Sequence, residues 1–207
     1  MRNVKLSRTR TQNTIRNFSS GLIKQILNII LPFIIRTIVI YYLGAEYQGL
    51  SGLFTSILQM LSLAELGFST AVVFALYKPI SEKNTDLICA LVNYLNKVYK
   101  IVGIVVLGVG LALLPFLGQL ITGYVPENIN IYILYLIYLF NTVISYWLFA
   151  YKSALLTAMQ REDIVSNIQT VTTVSIRVIQ IIFLMLFKNY YVYILVMPIG
   201  TIANNIF

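Results

Sequence analysis

Four charged residues interrupt long apolar runs of this chain: Lys24, Arg36, Glu65 and Arg177. At the centre of a bilayer each such charge costs about 2.5–3.5 kcal/mol on insertion scales, unless it is paired or meets water. Polar neighbours accompany each of them at helical spacing. Asn17, Gly21, Lys24, Gln25, Asn28, Pro32 and Arg36 share a helix face about 120° wide. Thr55, Gln59, Ser62, Glu65 and Ser69 form a second stripe. Tyr135, Tyr138, Asn141, Thr142, Ser145 and Lys152 form another, and Asn93, Asn96 and Lys100 a short one. Glu162, Ser166, Gln169, Thr170, Thr173, Arg177 and Gln180 form the last.

Two chemical roles fit these charges. Glu65 can pair with Arg36 or Arg177 and tie helices together. Yet the deeply placed cations Lys24, Arg36, Lys100 and Arg177 outnumber that single acid. A polar cavity lined with cations and open to solvent accounts for the excess, and it favours an anionic cargo. Arginine holds a phosphate through two parallel hydrogen bonds. The residues expected along the cargo path are therefore Lys24, Asn28, Arg36, Gln59, Glu65, Lys100 and Arg177. Lys97 and Lys100 sit where a lysine stem snorkels to the cytoplasmic surface, and Lys24 is close enough to do the same.

Signals for catalysis are absent from the sequence. It has no histidine and one cysteine, Cys89, so neither an internal disulfide nor a His-based metal site can form. No phosphate-binding glycine loop, Ser-His-Asp set or metal-spaced Cys/His cluster occurs. No enzyme and no cofactor are expected. The net charge of +8 is explained by basic residues clustered in particular loops, so no nucleic-acid partner is expected. Without an ATPase module, any pumping draws on an ion gradient, a membrane potential or the cargo's own gradient.

The composition dictates what positions these residues. The chain of 207 residues is 58% hydrophobic and 11% charged, with a mean hydropathy of +0.82. Soluble domains carry about 25% charged residues. An all-α, polytopic membrane protein follows. A crossing helix needs about 20 mostly apolar residues, and five complete stretches qualify: 19–43, 52–77, 95–121, 131–151 and 164–187. A sixth begins near Tyr191 and is still apolar at Phe207. The expected organisation is a basic cytoplasmic tail over 1–18 and a bundle of about six transmembrane helices over 19–207. The sixth helix reads as truncated, or the chain as one part of a longer polypeptide.

The basic tail leads into an uncleaved first span rather than a signal peptide. Lys78, Lys83, Lys152 and Arg161 then mark alternate loops as cytoplasmic, which puts the N-terminus inside, with Lys188 in the fifth loop the exception. Tyr41, Tyr42, Tyr47, Tyr124, Tyr132, Tyr190 and Tyr191 fall where an outer aromatic belt is expected. Gly67, Gly103, Gly108, Gly110, Pro32, Pro115 and Pro198 read as kinks or close helix contacts. Lys78-Pro79 reads as the inner stop of the second span.

The stretch 41–83 combines a Leu43-Gly44 turn, Gly49-Leu-Ser-Gly-Leu, Glu65-Leu-Gly67 and Tyr77-Lys-Pro79. With the preceding 15–40, it resembles the start of bacterial polysaccharide flippases of the Wzx type. These belong to the multidrug/oligosaccharidyl-lipid/polysaccharide exporter superfamily. The likeness covers about residues 15–100 well, and beyond that it rests on the spacing of the spans. The resemblance implies a two-lobed transporter of twelve to fourteen helices, with this chain as the N-terminal lobe and the second lobe missing. It also implies a bacterial cytoplasmic membrane and a cargo of undecaprenyl-diphosphate-linked oligosaccharide, moved from the inner to the outer leaflet. Membrane lipids and the glycosyltransferases or polymerase of the same pathway are the implied partners. Two alternatives stand beside it. A cation-coupled multidrug exporter of the superfamily usually has an acid in its first helix, where this chain has Lys24 and Arg36. A non-transporting scaffold for polysaccharide assembly has no need of charged stripes.

Overall fold

Runs of Leu, Ile, Val and Phe satisfy their backbone groups locally, and each apolar stretch of the chain is helical. The computed structural model describes residues 10–62, 67–148 and 151–206. The helices are α1 (Arg10–Tyr42), α2 (Ala45–Ser62), α3 (Phe68–Glu82), α4 (Thr85–Ala112), α5 (Leu117–Leu120), α6 (Ile131–Trp147), α7 (Tyr151–Ala158), α8 (Glu162–Phe187) and α9 (Tyr190–Ile206). No strand occurs among the described residues.

Asparagine begins three of these helices. The side-chain oxygen of Asn84 accepts from the Leu87 N–H, that of Asn130 from Tyr132 and Ile133, and that of Asn189 from Tyr191 and Val192. Each cap stabilises its helix by about 1 kcal/mol. Two of the caps follow a lysine that ends the preceding helix in the left-handed region, Lys83 at φ 55° and Lys188 at φ 47°. The dipeptides Lys83-Asn84 and Lys188-Asn189 are thus matching turns, the first residue closing one helix and the second opening the next. At the α1–α2 corner Gly44 takes φ 117°, a conformation suited to a residue without Cβ.

Helix boundaries depart from hydropathy at three places. First, α1 starts at Arg10, inside the expected tail. Second, the expected span 52–77 is divided between α2 and α3, with Gly67 at φ 99° preceding α3. A left-handed residue cannot continue a right-handed helix. Third, Lys78-Pro79 is no stop. Pro79 sits inside α3, which runs on to Glu82 and ends at Lys83. Among the described residues three helical segments are long and apolar enough to cross a membrane: Thr14–Tyr42, Thr85–Leu120 and Glu162–Phe187. A fourth is reached if α6 and α7, bent by 46°, count as one span.

The packing closes a ring. Helix α1 lies on α8, α8 on α9, α9 on α6, α6 on α4, α4 on α3 and α2, and α2 returns to α1. Helix α7 fills one end of the bundle against α3, α4 and α8. The core sits between α2, α4 and α6, where Phe54 packs edge-on against Tyr135 and Tyr138 at ring distances of 5.4 and 5.9 Å. Gly110 and Gly103 of α4 lie directly beneath Leu139 and Trp147 of α6, so neither has room for a Cβ. The Tyr135 hydroxyl donates to the Gly110 carbonyl at 3.0 Å across the same contact.

Two tyrosines assigned to the belt are core residues. Tyr47 and Tyr190 are buried and meet edge-to-face at 5.1 Å. Tyr190 donates to the Tyr47 carbonyl at 3.1 Å, and its hydroxyl lies 3.3 Å from that of Tyr138, which bonds Ser51 at 2.8 Å. Tyr41, Tyr124 and Tyr132 are exposed, as a belt requires. Apolar side chains cover much of the outer surface of α1, with Phe18, Ile29 and Phe33 among them.

Candidate functional site

The polar stripe of α8 faces inward. Ser166 and Gln180 on it are buried, as is Asp163 beside it. Arg177 lies near the middle of the helix, and its guanidinium is held from one side. Nη1 donates to Gln180 Oε1 at 3.0 Å, while Gln180 Nε2 donates to the Tyr193 carbonyl of α9 at 3.1 Å. Gln180 has no exposed surface, and every polar atom of such a side chain needs a partner. It therefore fixes Arg177 relative to α9.

Beside Arg177 lies a cavity of about 280 Å³ between α6, α8 and α9. Asn141 and Ser145 of α6 line it, as do Thr172 and Thr173 of α8. Thr201, Asn204 and Asn205 complete it from α9. Two bonds brace the α6–α9 wall: Thr201 donates to Asn141 Oδ1 at 2.7 Å, and Asn205 Nδ2 to the Ser145 carbonyl at 3.2 Å. The α8–α9 wall is tight because Gly200 lies against Ile176, where an added Cβ would come within 2.7 Å. The Asn204 Oδ1 atom is buried and has no hydrogen-bond partner among the described residues. The same holds for Thr170 Oγ1, about one turn before Thr173 on α8.

Arg177 takes part in no ion pair among the described residues. Its charge meets amides and hydroxyls instead, an environment that leaves the guanidinium available to an anion. Among the described residues no cluster of three His, Cys, Asp or Glu side chains exists to hold a metal.

Of the residues expected along the cargo path, Arg177 alone lines this cavity, together with Asn141, Ser145 and Thr173 of the polar stripes. Lys24 is half-buried on α1, and Asn28 and Arg36 are exposed on the same helix. Gln59 is exposed on α2. Lys100 is exposed on α4, and its carbonyl accepts from Trp147 Nε1 at 3.3 Å. Glu65 lies outside the described residues. The periodicity of α1 and α2 identified which residues share a face; of these, Asn28, Arg36 and Gln59 lie on the surface of the ring, whereas Asn17 meets the start of α8. Sequence reasoning passed over Thr201, Asn204 and Asn205, whose i, i+3, i+4 spacing in an apolar stretch was the available signal.

The end of the bundle where α1 and α8 begin carries a second polar cluster. Arg16 of α1 pairs with Asp163 of α8, Nε to Oδ2 at 2.9 Å, and Arg161 approaches the other carboxylate oxygen at 3.2 Å. Asn17 Nδ2 donates to the Gln160 carbonyl at 3.1 Å, and Asn17 Oδ1 accepts from the Asp163 N–H at 3.2 Å. The helix dipole alone was the expected reason for an acid pair at 162–163. The ion pair to α1 is a second reason, invisible from local sequence. Near the opposite end, a cavity of about 460 Å³ separates the start of α2 from Leu120–Tyr124 and is mostly apolar, with Glu46 in its lining.

Comparison with protein-family models, with curated proteins and with solved structures finds no match to this chain.

Proposed function

We propose that the chain is a membrane-transport lobe whose cargo is an anionic, hydroxyl-rich molecule: a lipid-diphosphate-linked oligosaccharide carried from the inner to the outer leaflet of the bacterial cytoplasmic membrane. The observation that carries this reading is Arg177, placed at mid-helix in a cavity of amides and hydroxyls with no acid paired to it among the described residues. A structural helix bundle gains nothing from a guanidinium there, because burying it costs free energy that only an anion or water offsets.

The closed ring supports six crossings: α1, α2 with α3, α4, α6 with α7, α8 and α9. The Arg16–Asp163 contact joins the α1 start to the α8 start, which fits an inside N-terminus. The exposed polar faces of α1 and α2, with Asn28, Arg36 and Gln59, fit a surface turned toward a second lobe of the Wzx-type arrangement. A cationic drug is the second reading. The apolar outer cavity with Glu46 favours it, and Arg177 opposes it.

The test is leaflet-to-leaflet movement of a lipid-diphosphate oligosaccharide in proteoliposomes. Arg177→Ala is expected to reduce the rate at least tenfold while the protein still accumulates and elutes as a folded species. Undiminished movement in that variant defeats the reading.

A further inference from the structure

The cavity at Arg177 has a composition more specific than a general attraction for anions. Its polar lining is almost entirely neutral: Asn141, Ser145, Thr173, Asn204 and Asn205 face the same space as a single guanidinium. Amides and hydroxyls both donate and accept, which is the chemistry that recognises a ring of hydroxyl groups. One fixed cation calls for one negative charge. Gln180 holds that cation in place through its bonds to Arg177 and the Tyr193 carbonyl, so the charge has a defined position relative to the hydroxyl-binding wall.

Size narrows the ligand further. Pockets that enclose drug-sized molecules run from about 300 to 1,000 Å³, and this one is about 280 Å³. It holds one ring rather than a chain. A diphosphate fits poorly, since it brings more than one negative charge to a site with one cation among the described lining residues.

From these observations we infer that the α6–α8–α9 cavity is a subsite for one sugar ring bearing a single acid group, with Arg177 on the acid, the amide and hydroxyl side chains of the lining on the ring hydroxyls and Gln180 as the positioning residue for Arg177. The subsite rests on the transport reading in that the ring would be one unit of the cargo. Its binding chemistry is testable without transport.

The probes are free D-glucuronate, D-glucose and inorganic phosphate, added to the full chain in detergent micelles and followed by saturation-transfer NMR. Glucuronate is expected to bind at least tenfold more tightly than glucose, the scale of one hydrogen-bonded charge, and phosphate is not expected to displace it. Arg177→Gln should remove the preference for glucuronate. Gln180→Leu should weaken glucuronate while leaving glucose unchanged, and Arg177→Lys should restore only part of the preference. Asn204→Leu takes an amide out of the lining and should weaken both sugars, with an unchanged melting temperature in detergent showing that the fold is kept. Equal binding of the two sugars, no binding of either, or displacement of glucuronate by phosphate overturns the inference. Proteoliposome transport separates this from the wider reading. Equal movement of neutral and acidic oligosaccharides sinks the subsite and keeps the transporter, whereas retained glucuronate binding without any movement does the reverse.

Discussion

At the residue scale, what distinguishes this chain is how its interior polar side chains are satisfied. Arg177 and Gln180 form a bridge from α8 to the α9 backbone, and Arg16 and Asp163 form another from α8 to α1. The second bridge is the easier to test for stability. Asp163 is buried, so Asp163→Asn leaves Arg16 and Arg161 without their carboxylate. A loss of about 1–3 kcal/mol is expected, read as a lowered melting temperature in detergent. A double-mutant cycle with Arg16→Gln should show the two losses to be less than additive, because both remove one interaction. Full additivity would mean the pair is not coupled. Arg177 was legible in the sequence because a lone cation in an apolar run is costly wherever it points. Asn204 was not, because an amide in such a run is cheap enough to pass as a helix contact, and only the facing helices reveal that it lines a cavity.

At the element scale, the ring is built by close approaches and by short turns. Gly103 and Gly110 let α6 press onto α4, and their reading as close helix contacts follows from the general use of small residues between membrane helices. Gly110→Val is expected to destabilise the bundle by about 1–3 kcal/mol or more, since Leu139 occupies the space that a side chain would need. Reduced accumulation and a lower melting temperature would register it; a neutral outcome would mean that α4 and α6 are not in contact there. The Lys-Asn turns make a matching pair of expectations. Asn84→Ala and Asn189→Ala should each cost about 1 kcal/mol through the lost cap. Hydropathy gave the helices but not their ends, for a physical reason. Apolarity registers burial or lipid exposure, whereas a helix ends where a residue such as Lys83, Lys188 or Gly67 turns left-handed. Pro79 misled because a proline late in a helix removes one hydrogen bond without forcing an immediate stop.

At the scale of the whole molecule, the apolar surface of α1 and the three or four helices long enough to cross a bilayer make a membrane setting the natural one. The all-helical class was legible from composition, because so few charges cannot clothe a water-facing surface. The gathering of the site was not. Periodicity placed Lys24, Asn28 and Arg36 on one face and Gln59 on another, but which neighbour a face meets depends on the order of helices around the ring. That order puts α8 between α1 and α9, so Arg177 faces a cavity shared with α6 and α9 while Asn28, Arg36 and Gln59 stay at the surface. The central claim is that Arg177 makes a solvent-reached, anion-preferring cavity inside the lobe. Its most direct measurement is the labelling rate of a Thr201→Cys probe, in a chain carrying Cys89→Ser, by thiol reagents of equal size and opposite charge. The sulfonate reagent is expected to react at least several-fold faster than the ammonium reagent, and Arg177→Gln to erase the difference; no labelling, or equal rates with Arg177 in place, would contradict the claim.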